Sequence, residues 1–152
     1  AVLSGSVLEP GRLIIDFVRQ QGGAPAATVL ASRVRTNAVQ AALANGTMAH
    51  ADETDDVHFA SATHPGAPAV AAALAMGEKA HRSGSEFITA VVLGYDVTCR
   101  VSRALDREWM AGRGLNSRSV SAVFGATAAA IIAVVTLPCS PLDRRRTNGP
   151  AT

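Results

Sequence analysis

The stretch PAVAAALAMGEKAHRSGSEFITAVVLGYDVTCR, Pro68–Arg100, decides the fold class. Its first half is rich in alanine, opens on Pro68 and meets Gly84 just past Arg82. Alanine is the best helix former, proline suits a first turn and glycine a stop, so a helix over Pro68–Arg82 is predicted. Ser85 is placed to cap a second helix, with Glu86 in its first turn to complement the dipole. Phe87, Val91, Tyr95 and Thr98 follow helical spacing, and the pattern runs to Trp109. Ile88, Val92 and Leu93 make this helix apolar nearly all round, which predicts burial.

Working outward, helices dominate. Pro10–Gln21 carries Leu13, Ile14, Phe17 and Val18 as an apolar stripe and stops at Gly22 and Gly23. Thr28–Thr36 is β-branched and partly alternating, so a short extended piece is expected. Asn37 is a predicted N-cap for a helix through Ala49. Ala111–Ser117 reads as a glycine-containing loop. Ser119–Val135 reads as a further helix in which Ser121, Gly125 and Ala129 recur every four residues, a small face for close packing. The fold class expected is all-α, with one helical domain over 1–137. Pro138 onward loses the pattern and is expected to be a disordered tail, 138–152.

The formal charge of +2 and pI near 8.9 come from that tail. Arg144, Arg145 and Arg146 lie there, whereas residues 1–137 hold 11 basic and 11 acidic side chains. A neutral body argues against a nucleic-acid partner. The longest apolar run, Ala122–Leu137, has 16 residues, too short and too alanine-rich to predict a membrane span. No basic segment precedes an apolar one at the N-terminus, so no secretory signal is predicted. Cys99 and Cys139 stand in unrelated contexts, which points to a reducing compartment and a cytoplasmic location, with Cys99 a small core residue.

Between two of the predicted helices lies AHADETDDVHFASATHPGAP, Ala49–Pro68. It holds His50, His58 and His64 with Asp52, Glu53, Asp55 and Asp56. The histidine spacing lacks the i, i+4 pair of a zincin, and an EF-hand register from Asp52 puts Val57 where glycine is required. A looser carboxylate–histidine metal site and a solvated loop remain alternatives. His64-Pro65-Gly66 leads into a helix N-terminus, where Gly66 lets backbone approach a ligand and first-turn N–H groups can hold an anion. Histidines and carboxylates facing such a terminus suit acid/base work on a carboxylate substrate.

These residues resemble the MmgE/PrpD family, which includes 2-methylcitrate dehydratases and cis-aconitate decarboxylases. The resemblance rests on Asn45-Gly46, Ala49-His50, the acidic run Glu53-Thr54-Asp55-Asp56, His64-Pro65-Gly66, Ser83-Gly84, Gly94-Tyr95-Asp96 with Arg100, and the later RGLNSRSVSAVFGATAAA. It covers roughly residues 5–130. It implies a helical large domain, a homodimer, small polycarboxylate substrates, and acid/base chemistry without metal or organic cofactor. His64 matches the family's active-site histidine and Glu53 its first loop aspartate. Asp55 and Asp56 match its acidic pair, and His58 a histidine common in one branch. Asp55, Asp56, His58, Gly66 and Arg113 are the expected substrate-binding residues.

This sequence departs from the pattern at several places. Glu53 replaces aspartate, Val57 replaces threonine, and Asn116 stands where the family has a second active-site histidine. Asparagine hydrogen-bonds a carboxylate but carries no proton near neutral pH. Family members continue into a smaller lid domain, and after Val135 the pattern is lost. A truncated or frameshifted copy, or a fragment, is therefore expected, with little or no dehydratase activity on its own. The alternative is a non-catalytic helical oligomerisation domain.

Overall fold

A computed structural model describes residues 1–135, and the predicted tail 138–152 lies outside them. Helices form about two thirds of it. In chain order they are α1 (Val2–Gly5), α2 (Glu9–Gln21), α3 (Ala38–His50), α4 (Gly66–Lys79), α5 (Gly84–Ala104), α6 (Arg107–Ala111) and α7 (Ser117–Val134). Two two-residue strands, β1 (Ala27–Thr28) and β2 (Arg35–Thr36), pair antiparallel inside the segment expected to be extended.

Local chemistry explains most boundaries. The Asn37 side chain accepts the Gln40 N–H at 3.0 Å and starts α3 as predicted. Ser83, not Ser85, caps α5. Its hydroxyl accepts from the Glu86 N–H, while Glu86 accepts from the Ser83 N–H at 2.8 Å, a reciprocal capping box. The helix predicted to reach Trp109 breaks instead at Leu105, because Asp106 accepts the Trp109 N–H at 2.9 Å and opens α6. α4 begins two residues before Pro68 and ends at Lys79 rather than Arg82, with His81 turned to a left-handed φ of 54°. Proline is tolerated there because first-turn N–H groups lack intrahelical partners anyway.

The core has two parts. One joins Val18 of α2, Val29, and Ala41, Ala44 and Met48 of α3 with Ala75 of α4. The other joins Ala69 and Ala73 of α4, Ala90 of α5, and Ala129 and Ala133 of α7. Only Val18 of the predicted α2 stripe is fully buried, while Leu13 and Phe17 stay exposed. α5 is likewise not buried all round. Ala90, Gly94, Thr98 and Ser102, one small residue per turn, face inward, and Ile88 and Val92 face outward. The reason is the crossing with α7, which presents Ser121, Gly125, Ala129 and Ala133 at the same interval. Small residues on both faces let backbones approach closely and gain dispersion contact. Among the described residues α7 alone is long and apolar enough to cross a membrane by composition. Cys99 is half-buried rather than core.

Candidate active site

The end of α3, the starts of α4 and α7, and one face of α5 surround a cleft of about 340 Å³. Its walls include His50, Glu53, His64, Thr98, Asn116 and Arg118. Glu53, His64 and Asn116, the three expected catalytic positions, thus share one cavity.

The loop 51–65 is folded by its own polar groups. His58 and Thr63 form an isolated antiparallel bridge, with His58 N–H donating to Thr63 O at 2.9 Å. The His58 ring contacts the Ser61 hydroxyl at 2.7 Å, and the buried Ser102 hydroxyl of α5 donates to the Ser61 carbonyl at 2.9 Å. His58 is therefore occupied in holding the loop and does not line the cleft. Glu53 lies in the left-handed region at φ 52°, a sparsely populated conformation for a residue with a side chain. That backbone turn places it at the cleft wall.

Asp55 faces the histidines rather than a ligand. Its Oδ2 lies 2.9 Å from His50 Nδ1 and its Oδ1 3.4 Å from His64 Nδ1. The Asp55 side chain is 4% exposed, His64 24% and His50 50%. The longer contact is misaligned for a hydrogen bond, so Asp55 Oδ1 and His64 Nδ1 are both buried without one. The two rings meet edge-on with centroids 5.1 Å apart. One donor atom from each of His50, Asp55 and His64 lies within 4.8 Å of the others, close enough for the three to hold a divalent cation.

Asp56 points the other way. It accepts the Gly66 N–H at 3.0 Å and meets the Tyr95 phenol. Burial, reinforced by the Asp56 charge, pushes the Tyr95 phenol up to about 12. The anion at the start of α4 is thus the chain's own carboxylate, and the Gly66 N–H expected to meet substrate is taken. Gly66, Asp56 and Tyr95 instead line a second, more apolar cavity of about 370 Å³, which Asp55 also lines.

The basic residue of the cleft also differs from expectation. Arg113 stacks over the Trp109 ring at 3.9 Å, away from the cleft. Arg118, in the first turn of α7, lines the cavity and makes no ion pair among the described residues. Asn116 caps α7, its side-chain oxygen accepting the Arg118 N–H at 2.9 Å and the Ser119 N–H at 3.4 Å. Its amide NH₂ is left to address the cleft. Arg118 was legible as a cation two residues past Asn116, but only the turn into α7 shows which arginine lines the cleft. His50 was visible as the Ala-His of the pattern without a role attached.

These features can be set beside known proteins. The model for the MmgE/PrpD N-terminal domain matches residues 1–135. A cis-aconitate decarboxylase-like protein, oryM, of Aspergillus oryzae (strain ATCC 42149 / RIB 40) is 35% identical over 116 residues. That match covers 72% of this chain and 23% of the fungal protein, so the chain spans less than a quarter of that relative's length. No solved structure matches the chain. The helical architecture and the match across every described residue agree, and the chain belongs to the MmgE/PrpD family.

Proposed function

We propose that the cleft binds a small polycarboxylate and performs metal-free acid/base lyase chemistry of the kind catalysed by 2-methylcitrate dehydratases. The observation that carries this reading is the convergence of Glu53, His64 and Asn116 with Arg118 on one cavity. Arg118 and the Asn116 amide are suited to a substrate carboxylate, the first by charge and the second by N–H donation. His64 removes or returns the proton on the carbon beside that carboxylate, since an imidazole exchanges protons near neutral pH. Glu53 is the second acid/base group at the wall. The relative's name supplies the rival reaction, decarboxylation of cis-aconitate, in which the same groups reprotonate the carbon that loses carbon dioxide. We place the protein in the cytoplasm, with neither membrane nor nucleic acid as a partner.

The test is calorimetric binding of tricarballylate, an unreactive tricarboxylate, alongside turnover of 2-methylcitrate and cis-aconitate. Binding that weakens in Arg118→Ala, and turnover that His64→Ala abolishes, are expected. Absence of tricarballylate binding sinks the reading. A second reading, a helical oligomerisation domain forming a homodimer, draws on the outward Ile88 and Val92 of α5 and Phe124 and Ile131 of α7. Light scattering that finds a monomer at every concentration removes it.

A further inference from the structure

The cleft holds a second imidazole that the acid/base reading has not used. We infer that His50 is the second proton carrier of the cleft, oriented by Asp55 and paired with His64. This rests on the polycarboxylate reading of the same site.

Three observations carry it. First, His50 lines the cleft together with His64, Glu53 and Asn116. Second, the Nδ1 atoms of both histidines converge on one carboxylate that is almost wholly buried. A buried carboxylate that accepts Nδ1–H from an imidazole fixes its tautomer and leaves Nε2 as the nitrogen that exchanges protons. Asp55 has one oxygen for each ring, and the oxygen facing His64 has no other partner. Third, the ring centroids stand 5.1 Å apart, close enough for both imidazoles to serve one two-carbon unit. Loss of water acts on such a unit, since the proton and the hydroxyl leave neighbouring carbons.

The two histidines differ in ways that assign their parts. His64 is the deeper ring. His50 is half-exposed and closes α3, where the carbonyl end of the helix favours positive charge. The other charges facing it are Asp55, Glu53 and Arg118. His64 Nε2 takes the proton from the carbon beside the carboxylate, and the C–H electron pair becomes the new C=C bond. The C–O bond breaks, and the departing hydroxide takes the proton of His50 Nε2 and leaves as water. His64 ends protonated, His50 neutral, and Asp55 remains ionised between them. The open side of His50 then restores its proton from solvent. Asn116 provides hydrogen bonds and no proton, so His50 is the imidazole that pairs with His64.

The experiment is long-range ¹H–¹⁵N NMR of the histidine rings in the full chain, with tricarballylate as the probe. Each ring is assigned by its own variant, H50Q, H58Q, H64Q or H81Q. His64 is expected in the Nδ1–H tautomer and His50 with Nδ1–H held by Asp55 and the transferable proton on Nε2, and tricarballylate is expected to shift both Nε2 signals. Asp55→Asn is expected to scramble both tautomers, and a merely structural His50 would show no Nε2 shift when tricarballylate is added to the unmutated chain. Where turnover is measurable, His50→Gln should lower kcat about 100-fold with KM little changed. A tricarballylate shift at His64 that leaves His50 unmoved overturns the inference while the cleft reading stands. No shift at either ring overturns the cleft reading itself. Zinc chloride that displaces both Nδ1 protons stoichiometrically makes the three residues a cation site and also overturns the inference. The probe titration uses the unmutated chain, so a variant that fails to fold does not blunt the test.

Discussion

Gly125→Ala should loosen the centre of the molecule, and the size of the effect can be worked out. Gly125 of α7 faces Gly94 and Thr98 of α5. A methyl group there would overlap the Thr98 hydroxyl and sit 2.6 Å from the Gly94 carbonyl oxygen and 3.0 Å from Thr98 Cβ. Thr98 is fully buried and its hydroxyl donates to Gly94 O at 2.8 Å, so rotating it aside breaks that bond and leaves the backbone clash. The helices must part. Overpacking of this kind costs about 1–3 kcal/mol, and the lost hydrogen bond about 1 kcal/mol more. Alanine returns about 1 kcal/mol of helix propensity. The net loss is about 2 kcal/mol, or roughly 4–8 °C in Tm for a chain of this size. Gly77 of α4 is the control, because a methyl there would meet nothing nearer than Arg82 Cβ at 4.0 Å. Gly77→Ala should therefore raise Tm slightly. Differential scanning calorimetry measures both. If Gly125→Ala melts at or above the parent temperature, the close α5–α7 crossing is refuted.

Two further outcomes follow from the site. Asn116→His should raise turnover of the polycarboxylate by adding a proton carrier, yet lower Tm by a few degrees through loss of an N-cap worth about 1 kcal/mol; kinetics and a thermal melt on one preparation read the two effects, and a gain in both refutes it. The chain has a single tyrosine, so absorbance at alkaline pH follows Tyr95 alone. Its midpoint should lie near 12 in the folded protein and near 10 after unfolding. A phenol that holds its proton more tightly when folded adds stability below pH ~10 and loses it as pH rises towards 12. Asp56→Asn should lower the folded midpoint, because it removes a charge that opposes the phenolate.

Much of the fold was legible because local chemistry set it. Asn37, Pro10 and the glycines announced helix ends, and the four-residue interval of Ser121, Gly125 and Ala129 announced the packed face of α7. The start of α5 was also written in the sequence. Ser83 and Glu86 stand three apart, the spacing of a capping box, whereas Ser85 would leave Glu86 too close to reach back. Burial of α5 was misread for a different reason. Apolar residues covered its whole circumference, and periodicity cannot reveal that the partner helix accepts only small side chains. The site was legible in its members more than in their duties. Glu53, His64 and Asn116 were named from the pattern. That Asp56 would serve the chain's own helix, that His58 would hold its own loop, and that Arg118 rather than Arg113 would face inward all depend on where the chain turns in space.

Asp55 and Asp56 are neighbours in sequence yet serve opposite sides of the loop, one the histidine pair and the other the Gly66 N–H and Tyr95. The loop is consequently intolerant of a change in parity at this point. Sliding the chain by one residue would hand each carboxylate the other's partners, and the histidine pair and the Gly66 N–H would lose their carboxylates together. Inserted residues can be absorbed near the exposed Phe59. Between Asp55 and Asp56 even one added residue would leave a buried charge without its donor, a defect of several kcal/mol by the general cost of unpaired buried ions. Loop length in this region is thus set by the alternation of two adjacent side chains, and natural or engineered length variants should fall on the Phe59 side of that dipeptide.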